Sequence, residues 1–92
     1  MRLIATVSTL LVTAATLAAV APANAESCHE LWTERNSYYK ARGYCFKTER
    51  AISYFGNSGC RYQDEGRVPL TRGERNRIAE ITRLERAQGC GD

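Results

Sequence analysis

The chain has 92 residues, with 13 basic and 10 acidic side chains, a net charge of +3 and four cysteines. A chain this short holds one domain at most, in the size range where an apolar core alone is marginal and covalent staples are usual. Arg and Glu are interspersed rather than gathered into a basic stripe, which argues against a nucleic-acid binder.

The first element is a leader. Arg2 precedes an apolar stretch whose greasiest part, Leu10 to Val20, has the length of a signal h-region. Pro22 breaks any helix there, and Ala23-Asn24-Ala25 supplies the small residues that signal peptidase requires. Residues 1–25 are therefore read as a cleaved signal peptide and residues 26–92 as the working domain. A membrane anchor fits worse, because Leu3 to Val20 barely reaches the ~17 apolar residues of a minimal span and five Ser or Thr residues dilute it. Lipidation at Cys28 also fits poorly, since Glu26 nearly abuts it and an odd number of cysteines would be stranded. The protein is expected to be exported, to the periplasm or the medium, with no membrane span after cleavage. Loss of Arg2 leaves a net charge of about +2, which singles out no partner.

Three helices follow. Ser27-Cys28-His29-Glu30 is an S-x-x-E capping box, no Gly or Pro intervenes before Arg42, and Gly43 is a natural stop. Leu31, Arg35 and Tyr38 share one face of this helix; Trp32, Asn36 and Tyr39 share the next. Thr48 caps a second helix from Glu49 to about Phe55, with Ile52 and Phe55 as its apolar side. Gly56-Asn57-Ser58-Gly59 ends it, and Cys60 to Pro69 reads as loop, with a short β-hairpin as the alternative. Thr71-Arg72-Gly73-Glu74 is a second capping box, after which Ile78, Ile81 and Leu84 form a stripe that Gly89 terminates beside Cys90. The fold class is mainly α: a compact three-helix, disulfide-stapled domain.

Cys28, Cys45, Cys60 and Cys90 form an even set in an exported domain, the pattern of structural disulfides. No Cys-x-x-Cys pair offers redox chemistry, and no short-spaced ligand pairs offer a zinc site. Cys28 and Cys45 flank the first helix, roughly 20 Å apart at ~1.5 Å per residue. A disulfide tolerates only about 4.4–6.8 Å between Cα atoms. That excludes Cys28–Cys45 with Cys60–Cys90. Cys45–Cys60 with Cys28–Cys90 is favoured, because the chain from Gly56 to Cys60 can turn back along the short second helix. Cys28–Cys60 with Cys45–Cys90 stays the alternative.

Leu31-Trp32, Arg35-Asn36, Tyr39, Gly43-Tyr44, Phe46, Tyr54-Phe55, Leu70-Thr71, Glu74-Arg75, Ile78, Ile81 and Glu85 follow one another in an order and spacing that resembles the YARHG family of small bacterial extracytoplasmic domains. The resemblance spans residues 31–85. It departs at the namesake motif: this chain reads Tyr39-Lys40-Ala41-Arg42-Gly43, with Arg42 where the family has histidine. The resemblance implies an envelope or secreted location and lends no catalytic activity.

His29 is the sole histidine, and Glu30 and Glu34 stand at i, i+4, but no triad order surrounds them and a solvated surface role is the simpler reading. Trp32, Tyr39 and Phe55 are assigned to the core. Tyr44 and Tyr62, with Arg42 and Lys47, are the candidate exposed platform for an envelope glycan or peptide. Arg35 and Asn36 are expected in a structural polar network, Arg35 paired with Glu80 or Glu85 and Asn36 bonded to loop backbone, with a ligand pocket as the alternative. The resulting expectation is a small exported binding or interaction module without cofactor, metal or catalytic machinery. An envelope hydrolase or accessory factor using Glu30, Glu34 or His29 is the alternative, and a purely structural envelope protein is a third.

The leader reading makes a direct prediction. Protein isolated from its native host should have an intact mass corresponding to a chain that begins at Glu26; retention of residues 1–25 would overturn it.

Overall fold

The computed structural model describes residues 3–11 and 25–91. The Leu10–Val20 stretch and the Ala23-Asn24-Ala25 motif therefore lie largely outside the described residues. Residues 3–11 carry no regular secondary structure. No helix among the described residues is long and apolar enough to cross a membrane.

Helix α1 runs Cys28–Ala41, α2 Glu49–Phe55 and α3 Arg72–Gln88, with one 3-10 turn at Glu65–Arg67. Each start is fixed by a hydroxyl that takes an otherwise orphaned amide. Ser27 accepts from Glu30, Thr48 from Ala51 and Thr71 from Glu74. At Thr71 the capping box is reciprocal, with the Thr71 amide donating to the Glu74 carboxylate at 2.9 Å. At Ser27 it is only half formed: the Glu30 carboxylate takes the Ser27 hydroxyl instead of the amide.

Helix α1 is covered on two sides. One side packs on α3, where Leu31 and Ile81 are the two fully buried side chains. Beside them Arg35 forms a two-pronged pair with Glu85, at 2.8 and 3.0 Å. Arg35 thus takes Glu85 and not Glu80, which lies out at the surface and pairs with Arg77 of its own helix. The other side contributes Trp32 to a largely aromatic cluster with Phe46 and Ala51, against which Tyr39, Tyr44 and Phe55 pack.

Two apolar stripes are narrower than the sequence predicts. On α2 the buried residues are Ala51 and, partly, Phe55, while Ile52 is 43% exposed. The small Ala51 lets α2 approach Trp32, and Phe55 stacks on Phe46 with ring centroids 5.1 Å apart; this pair fixes the helix rotation and turns Ile52 outward. On α3 Leu84 sits at the edge of the stripe, 36% exposed, and the buried position beyond Ile81 is Glu85, placed there by Arg35.

The Cys60–Pro69 segment forms no hairpin. It makes a single parallel bridge between Tyr62 and Tyr44 and then the 3-10 turn, which Asp64 caps. With the partner stretch at Tyr44 running parallel, no tight turn joins the two, so the pairing stops at one bridge. Asn57 acts as a further strand partner, its side chain accepting from the Phe46 amide at 2.7 Å and donating to the Phe46 carbonyl at 2.9 Å.

Cys28 is joined to Cys90 and Cys45 to Cys60, with Cα separations of 5.5 and 5.1 Å. The first ties the start of α1 to the end of α3; the second closes the loop that wraps α2. In the chain-entropy description the shorter loop contributes about 3 kcal/mol and the longer about 4 kcal/mol. Both are large for so small a domain. Reduction should therefore abolish cooperative thermal unfolding at physiological temperature. Non-reducing peptide mapping should recover Cys28–Cys90 and Cys45–Cys60, and a Cys28–Cys60 peptide would contradict the packing described.

Candidate functional site

A cleft of about 380 Å³ opens where α1 ends. One wall is residues 40–44, the other residues 58–62, with Pro69 at the edge. The walls are held together by backbone: the Gly43 carbonyl accepts from the amides of Arg61 at 2.7 Å and Tyr62 at 3.0 Å, and the Cys45 amide donates to the Tyr62 carbonyl at 2.8 Å. The Cys45–Cys60 disulfide closes the same seam. Gly43 turns the chain here with φ +88°, a conformation that side chains resist, and a Cβ on it would touch the Tyr62 ring at 3.6 Å.

Lys40, Arg42 and Arg61 bring three cations to this cleft, and no carboxylate lines it. Arg42 is partly neutralised from outside, pairing with Glu74 at 2.8 Å. Glu74 is held below the usual carboxylate value first by the Thr71 amide and then by Arg42, so one carboxylate both caps α3 and steadies the cleft rim. Lys40 donates to the Gly56 carbonyl at 3.1 Å. Among the described residues Arg61 has no carboxylate partner.

Of the four residues expected to form a binding platform, Tyr44, Tyr62 and Arg42 line this cleft, whereas Lys47 does not. Lys47 lies instead on a smaller neighbouring cavity, with Tyr39 and Glu65. The two tyrosines are also unequal. The Tyr44 ring packs on Tyr39 and Phe46, at 5.6 and 5.3 Å, and its hydroxyl is pushed upward first by burial and then by Glu65 and Asp64. Burial, with Glu65 beside it, likewise pushes Tyr39 up to about 12. Tyr62 packs on no other aromatic ring among the described residues and lies over Gly43. Lys40, Gly43 and Arg61 went unread as site residues in the sequence; the glycine that ends α1 was the one signal that the chain turns sharply here.

The catalytic alternatives are dispersed. His29 faces Arg50, whose guanidinium donates to Nδ1 at 3.3 Å and stacks 3.8 Å from the Trp32 ring centre. Glu30 is turned back to Ser27, and Glu34 is taken by Arg77 at 2.6 Å and by the Tyr38 hydroxyl at 3.0 Å. Arg77 also reaches Glu26 and Glu80, a cluster that spans three segments of chain and keeps its guanidinium charged. Asn36 does not bond loop backbone; its amide donates to the Trp32 carbonyl one turn back at 2.9 Å, since its position on α1 is already enclosed by the aromatic cluster. No group of three or more His, Cys, Asp or Glu among the described residues is arranged to hold a metal ion.

The Arg77 cluster gives a pH prediction. The Arg77 hydrogen bond, more than any other contact, holds the Glu34 carboxyl below its usual 4.5, with Tyr38 adding to it and burial opposing. A carboxyl more acidic when folded binds fewer protons in the folded state. Its stabilisation is therefore complete above its usual 4.5 and lost as the pH falls through the lowered value. Glu34→Gln should lower the melting temperature at neutral pH and flatten its decline between about pH 6 and about pH 3. Parallel declines for variant and parent would assign the acid sensitivity elsewhere.

Comparison with known proteins gives one match. The family model described as the YARHG domain fits residues 6–86, extending further toward the N-terminus than the resemblance read from residues 31–85. No curated protein and no solved structure matches the chain. Of the family's namesake stretch, here Tyr39 to Gly43, the last four residues line one wall of the cleft and Tyr39 does not. With a match over most of its length, the chain belongs to the YARHG domain family.

Proposed function

We propose that this protein is a small exported binding module for an envelope ligand, with the cleft at the end of α1 as its site and with no catalytic role of its own. The observation that carries this reading is the cleft's construction: a backbone-bridged, disulfide-closed frame presents Tyr62 together with cations that no lining carboxylate neutralises. A frame fixed before the ligand arrives reduces the ordering cost of binding.

Several features support export. Two disulfides fit an oxidising compartment. Glu26, the first residue after the expected cleavage point, is held by Arg77, so the folded domain begins where the leader would end. The non-catalytic part of the reading rests on geometry: His29, Glu30 and Glu34 are committed to separate partners and none lines the cleft.

Binding to purified peptidoglycan and to soluble envelope glycans tests the site. Tyr62→Ala should weaken binding about tenfold, a value within the range for a central aromatic contact, while leaving the melting temperature nearly unchanged. Tyr44→Ala is unsuited to this test, because its ring belongs to the core cluster and its loss destabilises the fold. Equal binding by parent and Tyr62→Ala would move the site elsewhere.

A further inference from the structure

The cleft's chemistry narrows the ligand. It combines two tyrosines, three cations and only small apolar groups, Ala41, Pro69 and the disulfide-bonded Cys60. No Leu, Ile, Val or Met lines it to receive the apolar anchor of a peptide. A pyranose ring bearing a carboxylate has what the walls ask for: a C–H face to lie on Tyr62, hydroxyls for polar edges, and a negative charge for guanidinium and ammonium groups. Its size also fits, because about 380 Å³ stands near the lower end of ligand-site volumes, the range of one or two sugar rings.

The cations are not equivalent. Arg42 is spoken for by Glu74, and Lys40 is partly engaged by the Gly56 carbonyl. Arg61 is exposed, follows directly on Cys60, and has its backbone amide fixed by Gly43. Without a carboxylate partner among the described residues, its guanidinium is a two-pronged donor on an anchored backbone, the geometry suited to a planar carboxylate.

We infer that the cleft binds an acidic sugar, with Tyr62 stacking on the ring and Arg61, aided by Lys40, holding its carboxylate. This rests on the reading of the cleft as the binding site and adds the ligand's chemical class.

The test titrates disulfide-bonded protein, recovered from the periplasm of an expression host, with digalacturonate, with neutral galactobiose and with triglutamate, following backbone amide shifts by NMR. Digalacturonate should move the amides of residues 40–44 and 58–62, and galactobiose should bind at least about tenfold more weakly. Arg61→Gln should weaken digalacturonate about tenfold with an unchanged circular dichroism spectrum and melting temperature, and added salt should weaken the parent. Lys47→Gln, which removes a cation outside the cleft, should bind as the parent does. If galactobiose binds as well as digalacturonate, or Arg61→Gln is without effect, the acidic class is wrong while the cleft stands. If triglutamate moves the cleft amides and digalacturonate does not, the ligand is an acidic peptide and the inference fails. If no probe moves the cleft amides, both the inference and the underlying site assignment fail.

Discussion

The pairing of α1 with α3 is the constraint on which the rest of the domain depends. The two helices run antiparallel and are fastened at both ends, by Cys28–Cys90 and by Arg42–Glu74, with Arg35–Glu85 in the middle and Glu34–Arg77 as a further tie between them. Leu31 and Ile81 fill the space between these ties. The middle tie is nearly enclosed on the Glu85 side, where the carboxylate's side chain is 10% exposed. A charge so placed is tolerable only with both oxygens engaged, which the guanidinium fork provides. Such a pair contributes less net stability than an apolar contact of equal size, yet it penalises any slip of one helix past the other, because a slip strands a buried charge.

With α1 held on that side, its opposite face becomes the floor for everything else. Trp32 and Tyr39 lie on it, and α2 has only seven residues, too few to be stable unless packed. Its position is set from outside by Phe55 on Phe46, by Ala51 against Trp32 and by the Cys45–Cys60 disulfide. The cleft arises because α1 stops at Gly43 while the loop after α2 is pulled back across that stop. Hydrogen bonds to the Gly43 carbonyl lock the crossing. The cleft is therefore a product of where one helix ends, which is why residues of the family's namesake stretch, Lys40 to Gly43, line it.

What was legible in the sequence was local. Ser27, Thr48 and Thr71 marked helix starts because a hydroxyl one residue ahead of a helix has a specific amide to accept from, whatever the rest of the chain does. The cysteine pairing was nearly legible because a helix is a rigid ruler. Long-range polar choices were not. Glu80 and Glu85 are equivalent in sequence as partners for Arg35, and only the rotation of α3 separates them. Asn57 resembled a turn residue, and nothing local showed that its amide would pair with both backbone groups of Phe46. Ile52 failed as a core residue because seven residues offer too few positions for periodicity to define a face. Nothing in the sequence sets Arg77 apart from the other arginines of α3, yet its three carboxylates come from the N-terminal stretch, α1 and α3.

The departure from the namesake motif acquires a physical meaning from the tie it makes. A histidine at position 42, with an ordinary value of about 6.5 raised by the carboxylate beside it, would hold Glu74 through a charge that is lost as the pH rises through and above neutrality. Arg42 is charged throughout that range and reaches Glu74 with two of its nitrogens, at 2.8 and 3.0 Å. The same Glu74 carboxylate closes the α3 capping box through the Thr71 amide. One side chain therefore couples the end of α1, the start of α3 and the rim of the cleft, and with arginine as its partner that coupling is lost only where Glu74 itself takes up a proton at low pH. In this chain position 42 is thus a permanent structural cation, held at the cleft rim by the carboxylate that starts α3.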